Sequence, residues 1–196
     1  MRRVILMLTV MAATLVVAGG VALAVTKIGG PGSDVLRGTD KRDRLEGRGG
    51  SDTLVGLGAR DCMTGGTGED TLAGGPGNDI VLGGQQTGGC ASFPPEQERP
   101  GASDSLSGGP GDDIVNGYAG ADVLSGGDGN DVVFDGEDHG GARDVLSGGD
   151  GNDILVPVND PAGKDIVSCG SGNDQVFADR EDVISGDCER VEVFSG

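Results

Sequence analysis

One aliphatic residue returns about every nine positions between residues 29 and 185. The series is Leu36, Leu45, Leu54, Met63, Leu72, Val81, Leu106, Val115, Leu124, Val133, Leu146, Leu155, Val167, Val176 and Ile184. An Asp stands two residues before each member: Asp34, Asp43, Asp52, Asp61, Asp70, Asp79, Asp104, Asp113, Asp122, Asp131, Asp144, Asp153, Asp165, Asp174 and Asp182. A disordered chain has no reason to hold an acid and an aliphatic in fixed phase. A fold that buries one side chain per short strand does. The residues on either side of the aliphatic are mixed, as in Arg44 and Glu46 or Ser105 and Ser107, and are expected to point outward.

Ahead of each strand lies a glycine-rich stretch. Gly29-Gly30-Pro31-Gly32-Ser33-Asp34-Val35-Leu36-Arg37 is the first unit, and Gly65–Ala73, Gly74–Leu82, Gly108–Asn116, Gly126–Phe134 and Gly148–Val156 repeat it closely. Composition agrees. Glycine makes up 41 of 196 residues, and 32 acids outnumber 14 bases, for a net charge of −18. That much glycine excludes long helices and coiled coils. The charge excludes nucleic acid as a partner, because it repels phosphate.

Gly-Gly-x-Gly-x-Asp-x-aliphatic-x resembles the nonapeptide of RTX, or hemolysin-type, calcium-binding repeat proteins. The resemblance covers about Gly29 to Ser185. It implies an all-β fold, a right-handed parallel β-roll (a β-solenoid) with two units per coil. It also implies calcium ions held between stacked turns. Calcium takes six to eight hard oxygen ligands. A Gly-Gly-x-Gly turn can aim several carbonyls into one hollow, and the Asp closes it with charge.

Two units per coil put turns 18 residues apart on one edge. Asp34, Asp52, Asp70, Asp104, Asp122, Asp144, Asp165 and Asp182 fall on a first edge, and the remaining seven on a second. The fourth position keeps Gly in ten units and is replaced at Lys41, Ala59, Ala102, Ala142 and Arg180. Neighbouring intact turns then form two ladders, Asp34–Asp52–Asp70 and Asp79–Asp113–Asp131–Asp153–Asp174. These eight Asp are the expected metal ligands, with about six strong sites between neighbours. Asp122 and Asp165 have degenerate neighbours.

Departures from the period are expected to bulge from the first edge: an inserted loop at 83–98, extra residues at Asp135–Asp138 and Pro157–Asn159, and a shortened Asp182 unit. Residues 186–196 read as a C-terminal cap, with Val191, Val193 and Phe194 covering the end of the roll. The four cysteines allow three pairings. Neighbour pairing, Cys62–Cys90 and Cys169–Cys188, is favoured because it closes the modest loops. No CxxC occurs, so a zinc or thioredoxin-type site finds no support.

Met1-Arg2-Arg3, the apolar run Val4–Val17 and Ala22-Leu23-Ala24 have the plan of a signal peptide, residues 1–24. Retention as an anchor is the alternative. Cleavage leaves a 25–196 roll, secreted and not membrane-spanning, with 12 bases against 32 acids. His139 is the only histidine and sits in an insertion, so no enzyme activity is expected. The expected function is a secreted calcium-binding β-roll, folding on the metal, with a structural or cell-surface role. The alternative is a calcium-dependent adhesin or ice-binding-type repeat acting through the flat face, with a protein or glycan partner left open.

Overall fold

A computed structural model describes residues 23–84, 103–136, 141–157 and 163–194. The described residues form seventeen short strands and no helix. Successive strands alternate between two sheets. The odd-numbered strands, from β1 (Thr26–Ile28) to β17 (Arg190–Val193), form one sheet of nine. The even-numbered strands, from β2 (Val35–Arg37) to β16 (Val183–Ile184), form one of eight. Every pairing is parallel and joins a strand to the one two later, so the chain winds as a β-solenoid of about eight coils.

The nine-residue period sets this register. Leu36 lies opposite Leu54, and Leu45 opposite Met63, each 18 residues on. The match survives the irregular stretches. Leu72 pairs with Leu106 and Val81 with Val115 across 34 residues, and Leu124 pairs with Leu146 across 22. The added residues therefore leave the strand register unchanged. A shift by one residue would turn every aliphatic to solvent.

The aliphatics of the two sheets meet in a narrow interior. Leu45, Met63, Val81, Val115, Val133, Leu155 and Val176 come from one side, and Leu54, Leu72, Leu106, Leu124, Leu146 and Val167 from the other, none more than 2% exposed. Only the ends are looser, at Leu36 and Ile184. Ile80 and Leu82 lie on the outward places beside Val81 and are buried as well, so the outer face is not solvated throughout.

Two details differ from the sequence reading. Gly83 occupies the first place of the Asp104 turn, its missing Cβ position 2.5 Å from Asp104 Oδ2, so the inserted residues follow Gly84. At the C-terminus, β17 adds a strand beside β15 (Gln175–Ala178) instead of lying across the open end. The unpaired backbone of β15 takes those partners. Val191, Val193 and Phe194 stay 41%, 56% and 50% exposed, with the Phe194 ring stacked on Phe177. Cys169 is bonded to Cys188, with their Cα atoms 5.2 Å apart. Cys62 is also disulfide-bonded, while its expected partner Cys90 lies outside the described residues, as do His139 and most of the inserted loop.

Candidate metal centre

The fifteen Asp form two continuous ladders, one along each edge. In each step the backbone N–H of one Asp donates to Oδ1 of the Asp one coil later. On the first edge Asp34 N reaches Asp52 Oδ1 at 2.7 Å, Asp52 N reaches Asp70 at 2.8 Å, and Asp70 N reaches Asp104 at 2.6 Å. That ladder runs on through Asp122, Asp144 and Asp165 to Asp182. On the second edge Asp79 N reaches Asp113 at 2.5 Å, Asp113 N reaches Asp131 at 2.8 Å, and Asp131 N reaches Asp153 at 2.9 Å. Asp43 and Asp61 precede these, and Asp174 follows. The alternation of edges expected from the sequence is thus the arrangement of the molecule.

The second carboxylate oxygen is where the chemistry lies. Oδ2 of Asp52, Asp61, Asp70, Asp79, Asp113, Asp131, Asp153 and Asp174 is buried and accepts no hydrogen bond. Each such anionic oxygen is costly unless something positive meets it. It sits beneath the first Gly of its turn. A Cβ on Gly47 would lie 2.2 Å from Asp52 Oδ2 and 2.6 Å from the Gly65 carbonyl, and one on Gly126 would lie 2.4 Å from Asp131 Oδ2 and 2.7 Å from the Gly148 carbonyl. Glycine is required there because carboxylate and carbonyl oxygens converge on the space of a side chain. Buried, anionic, oxygen-only donors are what a hard divalent cation needs, and they fit calcium.

Burial raises the carboxyl pKa values along both edges. Asp61, Asp70, Asp79 and Asp131 are pushed up to about 6. Asp113 reaches about 7, by loss of water first and then by the charges of Asp79, Asp131 and Asp112. Asp104 reaches about 8, again by burial, with Asp122 and Asp70 adding repulsion.

Seven of the eight expected ligands carry an unpartnered Oδ2. Asp34 differs, because its Oδ2 accepts from Gly30 N at 2.6 Å in the first turn. Asp61 has the same orphaned oxygen although Ala59 replaces the fourth Gly of its turn. Ala59 and Leu57 there adopt φ of 66° and 95°, so the turn keeps its shape under side chains that resist it. The Lys41 turn differs chemically. Thr39 donates both its backbone N–H and its hydroxyl to Asp43 Oδ2, the hydroxyl at 3.0 Å, which satisfies that carboxylate locally.

Two acids outside the expected set join the ladders. Asp135 follows Asp131 by four residues, the place that Gly126 holds after Asp122. It is therefore the first residue of the Asp144 turn, and its backbone N–H reaches the Val156 carbonyl at 3.4 Å. Its side chain is 1% exposed, and oxygens of Asp135, Asp144 and Asp165 lie within 4.8 Å of one another. Burial, then the charges of Asp165 and Asp144, push Asp135 up to about 9. Glu189 ends the second edge by accepting from Asp174 N at 2.9 Å, in the place of a further Asp.

The RTX calcium-binding nonapeptide repeat model matches four times, at residues 28–61, 60–88, 101–133 and 140–156. These matches cover more than half of the chain. No curated protein matches. The coils of Asp165, Asp174 and Asp182 lie beyond the last match and continue in the same register. By its repeats, its stacked turns and its buried carboxylates, the chain belongs to the RTX calcium-binding nonapeptide repeat family.

Proposed function

We propose that this calcium-binding β-roll is exported and completes its folding only on loading with calcium, and that it then serves a structural or cell-surface role. One observation carries the proposal: buried Oδ2 atoms recur along both edges with no hydrogen-bond partner. Without a cation the carboxylates stack one strand spacing apart, about 5 Å, and repel. Bound calcium supplies positive charge and shared ligation between neighbouring turns, so binding energy becomes folding energy. Asp34, Asp52, Asp70, Asp79, Asp113, Asp131, Asp153 and Asp174 are the proposed ligands, with about six strong sites. The orphaned oxygen of Asp61 adds it to that set.

Export rests on the basic-apolar-small plan of residues 1–24 and on the cysteines, which favour an oxidising compartment. No helix among the described residues is long and apolar enough to cross a membrane. Circular dichroism during a calcium titration, reversed with EDTA, tests the folding claim. A cooperative gain of β signal is expected, and a spectrum that does not move sinks the proposal.

An adhesin acting through the flat face is the second reading. Ser107, Ser125, Ser147 and Ser168 stand in register as one row on the outer face of the eight-stranded sheet. A pull-down of extracellular proteins and glycans, with and without calcium, separates it from a purely structural role.

A further inference from the structure

We infer that Lys27 is a stopper that closes the N-terminal end of the roll against another β-strand. It thereby keeps a second copy of the chain from stacking end to end. The inference rests on the calcium-loaded roll proposed above.

Lys27 stands where the repeat places an aliphatic. β1 pairs with β3 (Arg44–Gly49), and Lys27 lies opposite Leu45. The same inward row continues through Met63 and Val81 and ends at Val176 and Val191. Lys27 is half-buried between exposed Thr26 and Ile28. Its ammonium donates to the Arg37 carbonyl at 2.5 Å. β1 belongs to one sheet and Arg37 to the other, so this bond crosses the mouth of the interior.

The ends are otherwise prepared for each other. Among the described residues β1 pairs only with β3, β2 only with β4 (Thr53–Val55), β16 only with β14 (Ile166–Gly172) and β17 only with β15. An unpaired strand edge is a template for another chain. Between residues 26 and 48 the six cations Lys27, Arg37, Lys41, Arg42, Arg44 and Arg48 outnumber four acids. Between residues 174 and 194 seven acids outnumber two cations. Opposite fields draw the N-terminal end of one copy towards the C-terminal end of another. Laying β1 on β17 and β2 on β16 would continue both sheets.

At that junction Lys27 falls on Val191, inside an otherwise aliphatic row. An ammonium enclosed there loses its water and meets no acid in the row, a penalty that edge hydrogen bonds do not offset. An inward-pointing charge is one of the ways natural sheets protect an edge.

Sedimentation velocity on the exported, calcium-loaded full chain over a range of concentrations tests this, with Lys27→Leu and Lys27→Ala beside the wild type. The wild type is expected to remain a single chain. In Lys27→Leu the mass should climb with concentration past twice that value, as a head-to-tail contact that does not close must. Adding Arg37→Glu and Lys41→Glu to that variant should reverse the growth. If Lys27→Leu loses its calcium-induced β signal, Lys27→Ala decides, since it removes the charge without adding bulk. Variants that stay single at every concentration overturn the inference, as does a wild type that grows as they do. A wild type that gains no β signal with calcium overturns the premise, and circular dichroism records that separately from mass.

Discussion

In Asp52, Asp61, Asp70, Asp79, Asp113, Asp131, Asp153 and Asp174 the two carboxylate oxygens differ. Oδ1 joins its coil to the one before, and the buried Oδ2 accepts no hydrogen bond. The two can be separated. Asp113→Asn keeps an acceptor for Asp79 N while removing the charge. Isothermal titration should then show fewer bound calcium ions and a higher calcium midpoint, with no loss of stability in EDTA. An unchanged stoichiometry would remove Asp113 from the ligand set. The glycines also differ among themselves. Gly111 has φ +141°, and a Cβ there would lie 1.5 Å from the Gly77 carbonyl, whereas a Cβ on Gly32 meets nothing within 4 Å. Gly111→Ala is expected to lower stability by at least about 1–3 kcal/mol, and Gly32→Ala to stay within about 0.5 kcal/mol. Thermal melts of the calcium-loaded proteins compare the two. Asp61 and Asp135 show where reading residues fails. A missing Gly at Ala59 suggested a spoiled turn, but the backbone reaches φ 66° there regardless. Asp135 resembled an insertion because an acid stands where the repeat has Gly, although its distance from Asp131 marked the place.

Strands and turns were the most legible part of the chain. An inward aliphatic and a turn-forming Asp fix frame and register together, so both sheets follow from one period. The C-terminus was not legible in that way. Its expected covering residues instead form β17, because the open edge of β15 offers backbone partners that a loop across the interior cannot match. The Cys169–Cys188 bond closes a separation of 19 residues and holds this last strand to the coil below. Cys188→Ser is expected to cost about 3 kcal/mol through the freed chain. Hydrogen exchange should quicken in β15 and β17 and leave β10 (Val123–Asp128) protected. Equal acceleration in β10 would show that the bond supports the whole roll.

Acidity makes the entire molecule responsive to pH, and the sign follows from the direction of the shifts. Burial raises Asp61, Asp70, Asp79, Asp131 and Asp182 from an ordinary 3.8 to about 6, Asp113 to about 7 and Asp104 to about 8. The metal-free fold then holds protons that the unfolded chain has already lost. Its stability is full below about pH 4 and falls as pH rises through about 6 to 8. In EDTA the chain should therefore show more β signal by circular dichroism at pH 4.5 than at pH 7.5. The reverse order would contradict burial as the main cause. With calcium present the dependence inverts, because protons compete for the same oxygens.

The ladders also have a direction. Every rung runs from an N–H in one coil to a carboxylate in the next, never backwards. A coil at the growing tip is left with a bare donor until the following coil arrives. For a chain exported N-terminus first, as proposed above, each arriving coil would supply the carboxylate that the Asp N–H of its predecessor lacks. At the end of the second edge Glu189 supplies that acceptor to Asp174 from outside the repeat.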